Sequence, residues 1–166
     1  KVSNKKYIFR YSEADIKKLK NLDLDFIING SEKVLKGEIL NVSKLGIISI
    51  HHGDNRKFKG GPGGFWETYF SEESSGYIIQ ILTEKLDQGK IIFRSNFKSK
   101  DTYLLNQINI AENGNYGYKD ILNQVCEHGA FPLEEKNIVY SNKVNKTPRF
   151  WNILLYLLKL SRYKKK

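Results

Sequence analysis

The stretch from Gly46 to Arg56 reads Gly-Ile-Ile-Ser-Ile-His-His-Gly-Asp-Asn-Arg, an apolar, β-branched run that ends in polar side chains. Such a run is typical of a buried strand. Ligands bind at the carboxyl ends of the strands in open α/β sheets. Because side chains alternate along a strand, Ser49 and His51 share one face and point into one site. We therefore predict a functional site here; the alternative is that both side chains only satisfy backbone groups of the following loop.

Upstream segments extend the same pattern. The apolar run at 24–28 closes on Asn29-Gly30 and predicts a second buried strand. Residues 12–20 predict a helix that Ser12 caps, with acidic residues in its first turn and basic residues after them. Residues 34–40 predict a short helical connection. Two strands joined by helical links favour a parallel sheet.

Downstream segments change from strands to helices. Glycines crowd residues 60–64, an aromatic helix is predicted at 65–70, and strands are predicted at 77–82 and 90–97 around a turn at 86–89. Beyond about residue 100 the pattern predicts helices at 101–112 and 118–127, a polar extended segment at 136–149 and an apolar segment at 150–160. We predict a first domain over 1–98, which the resemblance described below implies is the C-terminal part of a catalytic domain, and a helical C-terminal extension with a basic tail over 99–166.

The positive charge of the chain is confined to its C-terminal end. The net charge is +10 over 166 residues, yet residues 1–135 hold 19 basic and 18 acidic groups. Residues 136–166 hold nine basic groups and no acidic one. The apolar segment in that tail is too short to span a membrane. It predicts either docking on the body of the protein or contact with an anionic membrane surface; nucleic-acid binding through the tail is a third reading.

Composition excludes several classes of protein. A single cysteine, Cys126, excludes an internal disulfide framework and a multi-cysteine zinc site. His51, His52 and Asp54 lie too close along the chain to converge on one ion, so no metal is predicted. The chain contains no apolar run of 18 residues, and no apolar segment of the signal-peptide type follows Lys1. We expect a cytoplasmic protein without a transmembrane segment.

The glycine-rich segment at 60–64, which begins with Gly60 and Gly61, allows two interpretations. Its backbone N–H groups can bind an anion at the start of the aromatic helix, with Arg56 nearby. It can equally be a structural turn. It is not a Walker loop, because no Gly-Lys-Ser/Thr follows.

The order of these motifs resembles the family of formyltetrahydrofolate-dependent formyltransferases, which includes methionyl-tRNA formyltransferase, glycinamide ribonucleotide formyltransferase and the sugar N-formyltransferases. The resemblance covers roughly residues 22–97. Its most specific element is Leu86-Asp87-Gln88-Gly89, similar to the family's Leu-Asp-x-Gly segment. The other matching segments are Leu24–Ile28, Gly46–His51, Lys57–Gly60 and Ser75–Gln80.

This resemblance implies the roles of the site residues. His51 corresponds to the catalytic histidine, which stabilises the developing oxyanion or moves a proton, and Asp87 to the aspartate that orients it. Ser49 stands where the family has asparagine, so the amide donor is replaced by a hydroxyl. His52 or Asn55 is the candidate to supply that donor. Ligand contacts are further expected from Arg56, Gly60 and Gly61.

The resemblance also implies a fold and an activity. The fold is α/β, a partial Rossmann-like and mostly parallel sheet of formyltransferase type with flanking helices. Only about 20 residues precede Leu22, so the family's N-terminal half is expected either to be absent or to lie on sequence outside this chain. The implied reaction moves a formyl group from 10-formyltetrahydrofolate to a primary amine, on a sugar or nucleotide-sugar because no tRNA-binding domain is evident. The alternative is a non-catalytic, formyltransferase-like module that binds a ligand or partner. The sequence leaves the oligomeric state open, and a homo-oligomer is one of the states it allows.

Overall fold

The computed structural model describes residues 7–31 and 33–163, and side chains up to residue 160. The first six residues and Lys164, Lys165 and Lys166 of the basic tail lie outside this range. The helices are α1 (Glu13–Lys20), α2 (Phe65–Phe70), α3 (Tyr103–His128) and α4 (Phe150–Tyr163). The strands are β1 (Ile8–Phe9), β2 (Ile27–Ile28), β3 (Val34–Leu35), β4 (Ile47–His51), β5 (Lys59–Gly60), β6 (Ser74–Ile81), β7 (Lys90–Lys98) and β8 (Val144–Asn145).

The central sheet is mixed, so the prediction of a mostly parallel sheet is wrong. Its order is β2-β4-β6-β7; β2 and β4 are parallel, whereas β4–β6 and β6–β7 are antiparallel. The segment joining β6 to β7 is too short for a crossover and forms a hairpin instead. Two parallel two-stranded pairs, β1–β3 and β5–β8, lie outside this sheet.

The sheet is covered on both faces. On one face, Ile48 and Ile79 pack with Ile110 and Ile121 of α3, all of them fully buried. On the other face, Ile47 packs with Ile16 of α1 and with a group of aliphatic residues: Leu35, Ile39 and Val42. Consecutive residues of β4 therefore enter opposite cores, which explains why this strand reads as a continuous apolar run.

A single long helix replaces the two predicted at 101–112 and 118–127. Helix α3 runs without a break through Gly114 and Gly117, both of which face the sheet and are buried. A Cβ at Gly117 would lie 2.6 Å from the hydroxyl oxygen of Tyr77, so glycine lets the helix approach the sheet closely. Glycine thus serves close packing here, in the segment between the two predicted helices. Gly129, with φ +66, ends the helix.

Other expectations are confirmed or corrected locally. The Ser12 hydroxyl accepts the backbone N–H of Asp15 and caps α1, and α2 spans the predicted residues. The predicted helical connection at 34–40 is wrong: it consists of β3 followed by a 3-10 turn at Glu38–Asn41, with Gly37 at φ +83. Strand β2 is shorter than the predicted 24–28.

Helix α4 docks on the body through one stripe of side chains. The Tyr156 hydroxyl accepts the backbone N–H of Tyr103 at 2.7 Å, and Lys159 Nζ donates to the carbonyl of Tyr69 at 2.6 Å. The aromatic ring of Tyr156 also packs against Phe65, with centroids 5.5 Å apart. Apolar residues on other sides of α4, such as Trp151, are exposed. Among the described residues, no helix has the length and apolar character needed to cross a membrane.

Candidate active site

The centre of the site is a pairing of His51 with Asp87. His51 is the last residue of β4, and Asp87 lies in the turn between β6 and β7. His51 Nδ1 lies 3.5 Å from Asp87 Oδ1, and both side chains are about nine-tenths buried. The other ring nitrogen, Nε2, lies 3.0 Å from the carbonyl oxygen of Phe58. Since that carbonyl only accepts, Nε2 carries the proton in this contact, and Nδ1 is the nitrogen that faces the carboxylate.

Asp87 is held in place from three directions. Its Oδ2 accepts the backbone N–H of Gly60 at 2.9 Å, and its carbonyl accepts from the amide of Asn55 at 3.0 Å. Its own backbone has φ +51, a left-handed conformation that costs free energy in most residues but that asparagine and aspartate tolerate better than other residues except glycine. The turn is thus built to present one carboxylate oxygen to Gly60 and the other to His51.

Behind the turn, Gln80 and Arg94 supply contacts that sequence reasoning missed. Buried Gln80 accepts the backbone N–H of Gly89 through Oε1 at 2.8 Å, which fixes the far side of the turn. Arg94 donates to Asn55 Oδ1 at 3.0 Å and to Asp54 Oδ1 at 2.6 Å. The available signal is that each is a polar residue inside an apolar strand, where a side chain needs a partner.

Asn55 has a structural role in the site, and the ligand-binding role predicted for it stays a prediction. It is fully buried, and both ends of its amide bond protein groups, Asp87 on one side and Arg94 on the other. It therefore positions the Asp87 turn. Arg56 forms a forked pair with Asp54, with Nη2 at 2.6 Å from Oδ2 and Nε within 3.0 Å of both oxygens. These contacts together lower the pKa of the Asp54 carboxyl despite its burial.

Ser49 and Asp87 line one small cleft. Its volume is about 180 Å³, and its polar lining also includes Asn29, Ser31 and Gln80. Ser49 and His51 lie on one face of β4, as predicted, since the intervening Ile50 packs towards the opposite core. The Ser49 hydroxyl lies 3.5 Å from the carbonyls of Asn29 and Ile50, at the limit of hydrogen bonding, so it is free to reorient towards the cleft.

His52 and Gly61, which were also predicted to bind a ligand, are not part of the His51–Asp87 pair. Burial lowers the pKa of His52, and the adjacent His51 acts in the same direction, so His52 is neutral at pH 7. The backbone N–H of Gly61 donates to the carbonyl of Asn145 at 3.3 Å, and so is used within the protein. No group of three His, Cys, Asp or Glu side chains that could hold a metal occurs among the described residues.

A substitution at Gly60 tests whether this position needs its left-handed backbone and its close approach to β8. Its φ is +78, and a Cβ there would run into the backbone of Asn145 in β8. We expect Gly60→Ala to lower the free energy of unfolding by about 1–3 kcal/mol, through backbone strain and steric overlap. Urea denaturation measures this loss. Gly61→Ala is the matched control: a Cβ at Gly61 meets nothing within 4 Å, so equal losses in both variants would contradict the interpretation.

Comparisons with known proteins relate this chain to one family. It is 33% identical over 87 residues to methionyl-tRNA formyltransferase of Thermodesulfovibrio yellowstonii, a match that covers 52% of this chain and 28% of that protein. No protein-family model matches. The fold is that of a sugar N-formyltransferase from Shewanella (TM-score 0.67, 17% identity, 90% of this chain and 64% of the other). It is also that of HypX from Aquifex aeolicus, solved with tetrahydrofolic acid (TM-score 0.62, 14% identity, 89% of this chain and 27% of the other).

Proposed function

Because this chain is a distant member of the formyltransferase family, we propose that it transfers a formyl group from 10-formyltetrahydrofolate to a primary amine carried by a sugar or nucleotide-sugar. The observation that carries the proposal is the His51–Asp87 pair at the end of a strand, with Asp87 held by Gly60 and Asn55. The sugar acceptor is supported by the likeness of the fold to a sugar N-formyltransferase. Since the chain spans 28% of the matched methionyl-tRNA formyltransferase, the activity is proposed for the protein that contains this chain.

The size of the cleft bears on which part of the donor it can accept. Sites that enclose a whole small molecule usually measure ~300–1,000 Å³. At about 180 Å³, this cleft fits only the reacting end of a folate together with the amine. 10-Formyltetrahydrofolate supplies the formyl group when bound. Ser49 and Asp87, which line the cleft, would meet that end, and His51 would act through its pairing with Asp87.

The geometry defines what His51 can do in the reaction. With its proton held at Nε2 by the Phe58 carbonyl, neutral His51 keeps a lone pair on Nδ1, beside the Asp87 carboxylate. In the overall reaction, a bond forms between the amine nitrogen and the formyl carbon, the bond from that carbon to the folate nitrogen breaks, and one proton moves from the amine to that nitrogen. The His51–Asp87 pair takes up this proton through Asp87, which lines the cleft, and later releases it to the folate nitrogen. Nδ1 holds the proton in between, and the Asp87 carboxylate stabilises the imidazolium. The Ser49 hydroxyl is the side-chain donor for the developing oxygen charge.

The test is a transfer assay on the purified full-length protein. It is incubated with 10-formyltetrahydrofolate and a panel of amino sugars and amino nucleotide-sugars, and mass spectrometry follows the formylated product. We expect at least one amine to be formylated, with equimolar release of tetrahydrofolate. A panel without product, or a His51→Ala variant as active as wild type, would contradict the proposal.

One observation favours a second candidate, a module that binds a folate or another ligand without catalysis. The only side-chain donor proposed for the oxygen charge is the short hydroxyl of Ser49, because the nearby amide of Asn55 is already bonded at both ends. Loss of one oxyanion donor typically lowers rates by about 10²–10³-fold. Calorimetric binding of formyltetrahydrofolate without turnover of any amine would support this candidate.

A further inference from the structure

Glu67 is a buried carboxyl that the proposed chemistry does not use. It lies in α2 among aromatic residues and is only 2% exposed. Its Oε1 is the one buried side-chain nitrogen or oxygen atom of the described residues without a hydrogen-bond partner. An unpaired buried carboxylate is costly, so such a group is either protonated or compensated by a nearby charge.

Glycine at position 53 brings this carboxyl next to the site. A Cβ at Gly53 would lie 3.2 Å from His51 Nε2, 3.2 Å from the Phe58 carbonyl oxygen and 3.7 Å from Glu67 Oε1. Since all three atoms lie within 4 Å of that one point, Glu67 Oε1 lies close to the His51–Phe58 hydrogen bond, beside the space that a side chain at position 53 would fill. His51 is thus flanked by two carboxyls: Asp87 on its Nδ1 side and Glu67 on its Nε2 side.

The surrounding charges favour the neutral form of Glu67. Burial raises its pKa to about 7, and the negative charges of Glu72 and Asp54 act in the same direction, whereas hydrogen bonds from backbone groups of Glu67 and Gly64 oppose it. Three cations of the surrounding loop and strand are already paired with other carboxylates: Lys57 with Glu72, and Arg56 and Arg94 with Asp54.

We propose that Glu67 is a positioning residue for His51, one that sets through its own charge how readily the imidazole accepts a second proton. When His51 takes up a second proton, ionisation of Glu67 compensates the new charge on the Nε2 side. Two groups that interact in this way release their protons in coupled steps. This inference deepens the proposed function, on which its catalytic meaning rests.

Nuclear magnetic resonance titration tests the coupling without substrate. The ring carbons of isotopically labelled His51 are followed with pH in wild type, Glu67→Gln and Glu73→Gln; the chain has three histidines, and His51→Gln assigns the signal. Loss of the Glu67 charge should change the pH dependence of the His51 ring signals and remove the second inflection from their curve. Exposed Glu73 is the matched control and should leave the curve unchanged. Identical curves in wild type and Glu67→Gln would overturn the proposal.

A second measurement needs no substitution at Glu67. The side-chain carboxyl carbon of Glu67 should titrate near pH 7 in the wild-type protein, and it should titrate at higher pH in His51→Gln, because the positive imidazolium is then missing. A Glu67 signal that does not respond to His51→Gln would reject the coupling. Since neither measurement uses folate or amine, failure of formyl transfer and failure of this inference are separate results.

Discussion

Asp87→Asn is expected to lower kcat/KM for formyl transfer by about 10²–10⁴-fold while the fold is kept. Asparagine has the size of aspartate and tolerates φ +51, and its Oδ1 can accept the Gly60 N–H in place of Asp87 Oδ2. Its NH₂ group then faces His51 Nδ1 and donates to it. The lone pair that is to accept the amine's proton is occupied, and the carboxylate that stabilises the imidazolium is gone.

A matched control exists on the same molecule. Asp23 also has a positive φ, +46, but it is exposed and pairs with Lys44 away from the site. Asp23→Asn should keep the wild-type kcat/KM in the same assay. The assigned role of Asp87 would be wrong if Asp87→Asn lost activity no more than this control, with both variants showing the wild-type circular dichroism spectrum.

Glu67→Gln should become more stable relative to wild type as the pH rises, by about 2–3 kcal/mol between pH 5 and pH 8. The folded-state pKa of Glu67 is raised to about 7 from 4.5. Between these values the folded protein holds a proton that the unfolded chain has released. The wild type therefore loses stability as pH rises through this window, whereas glutamine does not titrate.

Urea denaturation of both proteins at the two pH values measures this difference. Glu73→Gln, at an exposed position of the neighbouring segment, is expected to show a difference from wild type that barely changes with pH. A Glu67→Gln advantage of equal size at pH 5 and pH 8 would mean that Glu67 titrates normally in the folded protein.

Local patterns predicted most of the elements of this fold. The apolar runs that became β4, β6 and β7 lie where they were expected, as do the Ser12 cap and the six residues of α2. These features depend on neighbours along the chain, which periodicity and capping chemistry describe well. The direction of a strand does not depend on such neighbours. The orientation of β6 against β4 depends on how the long segment between them folds back, and for that reason the expectation of a mostly parallel sheet was wrong.

Of the site residues, the sequence identified the pair in contact, His51 and Asp87, but not the residues that hold this pair in place. His51 and Asp87 were named from motifs that resemble a family, and the structure brings them together. Gln80, Arg94 and Glu67 were missed because their importance comes from partners distant in sequence. Asn55 was named, but for ligand binding and not for the two internal hydrogen bonds through which it positions the Asp87 turn.

By itself, the sequence determined that β4 is a buried strand ending in polar residues, because β-branched character and alternation are local properties. It also located the excess positive charge after residue 135. Only the tertiary structure decided that His51 Nε2 is held by Phe58, which leaves Nδ1 to Asp87, and that a carboxyl in α2 faces the same imidazole across Gly53. The physical reason is that burial and hydrogen bonding between distant segments, which a linear pattern does not contain, set both the orientation and the protonation of a side chain.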